Sequence, residues 1–122
     1  METKPVLVVD DDPDIREMLG FVLETAGYSV YLAENGKEAL ELLLRVEPPP
    51  GLILLDLMMP IMSGHEMLLA LKASSSLAAI PVSIVTASGA PMPPGASGLL
   101  KKPVQIDVLL AVVARTCGAI RP

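Results

Sequence analysis

A chain of 122 residues is long enough for one domain with one core and too short for two, and a single domain over 1–122 is expected. It is 52% hydrophobic, but no apolar run approaches the ~20 residues of a membrane helix, and METKPVLVVDDD lacks the features of a signal peptide, so a cytoplasmic, membrane-free protein is expected. A net charge of -5 with nine scattered Lys and Arg argues against direct nucleic-acid binding, and one cysteine (Cys117) with one histidine (His65) excludes an internal disulfide, a Cys-rich metal site and a zinc cluster.

The first element is a short β-branched run, Val6 to Val9, which predicts a buried strand. It leads straight into Asp10, Asp11 and Asp12. Asp12 can cap a helix with Pro13 at its first position. Ile15, Met18, Leu19, Val22, Leu23 and Ala26 follow at helical spacing, and Gly27 ends the helix. Tyr28 to Ala33 predicts a second strand. Asn35-Gly36-Lys37-Glu38 has the pattern of a capping box. The helix it opens carries Ala39, Leu40, Leu43 and Leu44 on its apolar face and is stopped by Pro48-Pro49-Pro50.

Leu52 to Leu55 is a continuous apolar strand ending on Asp56. The Met58-Met59 pair is expected to pack. Ser63-Gly64-His65-Glu66 is a second capping box, with His65 in the first turn of a helix carrying Met67, Leu68 and Leu71. Pro81 to Val85 predicts a fourth strand, ending at Thr86. A fifth lies near Ser97 to Leu100. The last helix carries Ile106, Leu109, Leu110 and Val113, with Cys117 half-buried and Gly118 near its end. Between strands four and five, TASGAPMPPGASG should hold a helix. Pro91, Pro93 and Pro94 remove backbone donors, and Gly89, Gly95 and Gly98 loosen the rest, so a loop or one irregular turn is expected.

Strands alternating with helices, and middle strands apolar on both faces, predict an α/β fold with a parallel sheet covered on both sides. Right-handed crossovers make a doubly wound five-stranded order of 2-1-3-4-5 the simplest arrangement. In such a sheet ligands bind beyond the carboxyl ends of the strands where the order reverses, here between strands one and three. Asp10, Asp11 and Asp56 would meet there. Unaided, they repel one another; a hard divalent cation removes the repulsion, and Mg²⁺ suits a few carboxylates with water and phosphate. Thr86 and the Lys101-Lys102 pair end strands four and five at the same rim. Acids with a metal, a hydroxyl and a lysine suit phosphoryl transfer, and Asp56 can form an acyl phosphate.

VLVVDDDPDIREML, LILLDLMMPIMSGHEML, PVSIVTASG and LLKKPV together resemble the four signature segments of the response-regulator receiver domain of two-component signalling. The resemblance implies a flavodoxin-like fold. It implies that Asp56 accepts a phosphoryl group from the phosphohistidine of a sensor histidine kinase or phosphotransfer protein, and that phosphorylation controls a downstream protein target. Such a module is not an enzyme beyond its own phosphorylation and dephosphorylation. By the same resemblance Asp11, Asp56 and the Met58 carbonyl would bind Mg²⁺ directly, and Asp10 through water. Thr86 and Lys102 would hold phosphoryl oxygens, helped by the N–H groups of Met58 and Ala87. Lys102–Pro103 is a candidate cis peptide. Met58 and Ser88 occupy positions that influence hydrolysis in this family.

Two departures concern the output. The Pro/Gly loop replaces the family's fourth helix, and Leu99 stands where the family carries its switch aromatic. They favour an alternative in which the chain is a non-switching pseudo-receiver used as an interaction scaffold. A flavin-binding protein of the same strand order is disfavoured, because Asp10 to Asp12 would repel a phosphate. If the loop uncovers apolar residues of strand four and the last helix, a homodimer could cover them.

Overall fold

A computed structural model describes residues 3–120 apart from 88 and 90. Among these residues five strands, β1 (Val6–Val9), β2 (Val30–Ala33), β3 (Leu52–Leu55), β4 (Val82–Thr86) and β5 (Gly98–Lys101), form one parallel sheet of order β2-β1-β3-β4-β5. The helices are α1 (Pro13–Thr25), α2 (Gly36–Leu43), α3 (Gly64–Ala73) and α4 (Ile106–Cys117). This is the doubly wound order expected from the sequence.

The sheet has apolar side chains on both faces because both are covered. In β1 and β3, Val6, Val8, Leu52 and Leu54 pack with Leu19 and Leu23 of α1 and Leu109 and Val113 of α4. Their neighbours Leu7, Val9, Ile53 and Leu55 pack on the other face with Ala39 and Leu43 of α2 and Met67, Leu68 and Leu71 of α3. Side chains alternate along a strand, so a strand buried on both faces has no polar positions to spare. All eight residues of these two strands are buried, and their charged neighbours stand at the carboxyl ends.

Several local expectations need correction. β2 starts at Val30, not Tyr28, because the Tyr28 N–H turns back to the Leu23 carbonyl (3.0 Å) and closes α1. The Asn35 side chain caps Glu38 N–H at 2.8 Å, but the Glu38 carboxylate receives the Glu34 N–H rather than the Asn35 N–H, so the box is incomplete. Leu44 lies just past α2 and is 80% exposed. Met18 is also exposed. β4 begins after Pro81, which has no N–H to give, and β5 extends to Lys101. Cys117 is fully buried rather than half-buried.

The segment after β4 contains no helix among its described residues; it has a turn at Pro94-Gly95, with Gly95 at φ 92 and the Ala96 N–H bonded to the Pro93 carbonyl. It does not uncover β4, whose five residues are all buried. The exposed apolar residues are elsewhere, at Met92 in the loop itself, Leu69 of α3, and Ile106 and Val108 of α4, so the strand-four half of the case for a homodimer falls away.

Candidate functional site

The register of β1 on β3 brings the acids together. Val9 lies opposite Leu55, and the Asp56 N–H continues the ladder to the Val9 carbonyl at 3.0 Å. Asp10 and Asp56 therefore emerge side by side from two segments far apart in the chain. Asp10, Asp11 and Asp56 each offer a carboxylate oxygen within 4.8 Å of the others. Asp10 and Asp56 are buried, and Asp11 is exposed.

β5 delivers the cation. Thr86 is in register with Lys101, and the Lys102 N–H reaches the Thr86 carbonyl at 3.0 Å. From there Lys102 Nζ donates to Asp10 Oδ2 at 2.9 Å and lies 3.7 Å from Asp56 Oδ2. Burial disfavours the ammonium, but the hydrogen bond and charge of Asp10, followed by Asp56 and Asp12, outweigh it and raise the Lys102 pKa. Lys101 is exposed and belongs to the surface. The Lys102–Pro103 peptide is cis, as expected, and so is Glu47–Pro48, which nothing in the sequence reading pointed to.

The Asp56 pKa is raised too, which for a carboxyl favours the neutral form where for Lys102 it favours the charged one. Burial raises its pKa first and the charge of Asp10 second; Lys102 and the Met58 N–H, 3.3 Å from Oδ1, pull it down, and Asp11 adds a small upward push. The net direction is upward. Two buried carboxylates, Asp10 and Asp56, share one cation, and a third, Asp11, stands exposed beside them. Their hard oxygen donors match what a divalent ion such as Mg²⁺ requires.

Thr86 is buried at the end of β4, on the same rim. Ala87, the next residue, is exposed. Ser88 lies outside the described residues. Met58 does not pack: it is 73% exposed, whereas Met59 joins the core on the α2 and α3 face. Asp12 is a helix cap, its Oδ1 receiving the N–H groups of Asp14 and Ile15. His65 sits exposed in the first turn of α3, away from the acid cluster's membership. Leu99 is half-buried against the α2 and α3 core.

Two contributors escaped the sequence reading. Gly64 begins α3 directly against the end of β3. A Cβ there would run into the Asp56 carbonyl oxygen and stand 2.7 Å from Leu57 Cα, so only glycine permits this approach. Its N–H also bonds the Leu57 carbonyl at 3.0 Å. Arg16, one turn into α1, sends Nη1 back to the Asp10 carbonyl at 2.7 Å. The available signal was a basic residue in a helix start otherwise filled by Asp12 and Asp14.

The doubly wound parallel sheet and its acid-and-lysine rim define a receiver-type α/β module. A family model described as the response regulator receiver domain matches residues 6–114, and the chain belongs to that family. It is 37% identical over 123 residues to an uncharacterized 14.6 kDa protein from the sodA1 3' region of Leptolyngbya boryana, with 96% of this chain and 92% of that one covered. It is 43% identical over 89 residues to the phosphate regulon transcriptional regulatory protein PhoB of Pseudomonas aeruginosa, covering 73% of this chain and only 38% of PhoB. Among solved structures it superposes on the chemotaxis protein CheY4 of Vibrio cholerae with a TM-score of 0.82 and 32% identity, covering 93% of this chain and 98% of that one. Among the described residues no helix is long and apolar enough to cross a membrane.

Proposed function

We propose that the chain acts as a single cytoplasmic receiver domain whose Asp56 takes a phosphoryl group from the phosphohistidine of a sensor histidine kinase or phosphotransfer protein. An Asp56 carboxylate oxygen attacks phosphorus, the phosphorus–nitrogen bond breaks, and the imidazole leaves with its electron pair. The product is an acyl phosphate on Asp56. Hydrolysis of that bond by water returns the carboxylate and inorganic phosphate. The phosphorylated form controls binding of a downstream protein.

The observation that carries this reading is the meeting of Asp10, Asp11 and Asp56 within 4.8 Å, with the Lys102 ammonium between Asp10 and Asp56. Asp11, Asp56 and the Met58 carbonyl would hold Mg²⁺ directly and Asp10 through water; the bound ion supplies charge neutralisation for the acids and for the incoming phosphoryl oxygens. Lys102, already 3.7 Å from Asp56, holds one phosphoryl oxygen. The Thr86 hydroxyl and the N–H groups of Met58 and Ala87 serve others. Each contributes positioning and charge stabilisation, which is most of what phosphoryl transfer asks of a protein.

The test uses Mg²⁺ with beryllium fluoride or acetyl phosphate, read by amide chemical shifts. Wild type should respond at Asp11, Asp56, Thr86 and Lys102, and Asp56→Asn should not. A wild type that is silent, or a variant that responds alike, removes the proposal. A second reading, the non-switching scaffold, is favoured by Leu99 and by the loop that replaces a helix between β4 and β5. It predicts silence from the wild type in the same experiment.

A further inference from the structure

Asp11 is the one member of the acid cluster left exposed, yet the backbone on either side of it is pinned. On one side, the Asp10 carbonyl accepts the Arg16 guanidinium at 2.7 Å, which fixes the plane of the Asp10–Asp11 peptide. On the other, the Asp12 N–H donates to Asp10 Oδ1 at 2.9 Å, which fixes the plane of the Asp11–Asp12 peptide. Two fixed planes around one Cα set φ and ψ there, and with them the direction of the Cα–Cβ bond.

We propose that Arg16 is a positioning residue of the metal site, acting through the Asp10–Asp11 peptide to aim the Asp11 carboxylate at a divalent cation. The inference rests on reading Asp11 as a metal ligand. Charge alone does not account for Arg16. A cation near the start of a helix opposes the positive end of the helix dipole. A guanidinium beside a cation site also repels the cation it is meant to help bind. Geometry supplies the missing reason: Nη1 reaches back across a turn of α1 to a main-chain oxygen six residues earlier. A lysine side chain is one bond shorter and lacks the planar fork, so it is a poor substitute.

The two accounts of Arg16 predict opposite signs. If it acts only through charge, Arg16→Met should tighten Mg²⁺ binding and Arg16→Lys should leave it unchanged. If it positions Asp11, both variants should bind more weakly, by roughly tenfold for Arg16→Met, the scale of one lost charge-assisted hydrogen bond, and by less for Arg16→Lys. The measurement is a Mg²⁺ titration of the full chain at fixed ionic strength, followed through amide resonances, with metal-free spectra of each protein. The expected result is weaker binding in both variants, with the Asp11 and Asp12 resonances already displaced before metal is added. Binding as tight as wild type, or tighter, overturns the role of Arg16. Should Arg16→Met fail to fold, Arg16→Lys alone decides by the same criterion. A wild type that binds no Mg²⁺ at these residues instead brings down the metal-site reading, a distinguishable outcome.

Discussion

A buried carboxylate beside a second carboxylate is pushed toward its neutral form, and Asp56 is pushed that way by burial first and Asp10 second, with Lys102 offsetting part of the effect. Its pKa in the folded chain is raised above the ordinary 3.8. The sign for stability follows: the folded state binds the proton more tightly than the unfolded state, so this contribution is fully present below about pH 3.8 and is lost as pH rises through the raised value. At neutral pH without metal, ionised Asp56 therefore costs stability. Metal-free Asp56→Asn should melt higher than wild type at pH 7, with the gap closing on acidification, as thermal unfolding at several pH values will show. Met58 is the second residue whose chemistry is exposed to test. Its N–H faces Asp56 while its side chain stands 73% exposed and apolar, unable to orient an attacking water. Met58→Asn should shorten the lifetime of the acyl phosphate several-fold, measured as decay of phosphorylated protein after donor removal; equal or slower decay would count against a role for this side chain. At this scale the acids and Thr86 were legible because they end or directly follow strands, and strand ends can be counted from a sequence; strand ends pointed only to the Lys101-Lys102 pair, and the family resemblance singled out Lys102. Arg16 was not, because its partner is a carbonyl and a main-chain acceptor leaves no trace in residue type.

The junction of β3 and α3 shows what elements impose on the site. Ser63 and Glu66 close a full capping box, with the Ser63 Oγ accepting the Glu66 N–H at 3.2 Å and the Glu66 carboxylate accepting the Ser63 N–H at 3.1 Å. The cap starts α3 where Gly64 lies flat against the backbone carrying Asp56. Gly64→Ala must push that backbone aside. We expect a loss of about 2–3 kcal/mol, the scale of overpacking a tight contact, seen as a lower denaturant midpoint together with weakened Mg²⁺ binding. Just before the cap, Ile61 adopts φ 70, a left-handed conformation that a β-branched residue disfavours. It is 76% exposed, so its side chain recovers little by packing. Ile61→Asn should therefore raise stability by about 1 kcal/mol, with urea unfolding as the check. The Ser63 box was readable because a capping pattern is local. Its apparent twin at Asn35 was only half formed, since Glu38 found the neighbouring N–H, and the spacing of four residues cannot distinguish the two partners. The start of β2 was missed for a related reason: Tyr28 looks like a strand residue, but its N–H is spent on closing α1.

Over the whole molecule, the alternation of apolar strands and amphipathic helices fixes the sheet, and the sheet gathers residues 10, 56, 86 and 102 at one rim. That much follows from topology. What the pattern did not reveal is that β4 stays buried beside this loop: Ala96 of the loop and Leu77 and Ile80 from the segment before β4 pack on the same core as Leu99. The arrangement makes global stability depend on the rim. The chain has a net charge of -5, and its acid cluster spans β1 and β3, two adjacent interior strands, so relieving repulsion there stabilises the folded chain as a unit. A ligand that binds only the folded state adds RT ln(1 + [L]/Kd), about 2.7 kcal/mol at a hundredfold excess over Kd. For a domain of this size that corresponds to a rise on the order of 10 °C in Tm. Mg²⁺ should produce this rise in wild type, and Asp11→Asn, which removes the exposed carboxylate and keeps the buried pair, should lose most of it while melting slightly above wild type in metal-free buffer, because the repulsion Asp11 exerts on Asp56 goes with its charge. A full Mg²⁺ response in Asp11→Asn would show that the exposed acid is not a ligand, and would leave the buried pair of Asp10 and Asp56 to explain any binding.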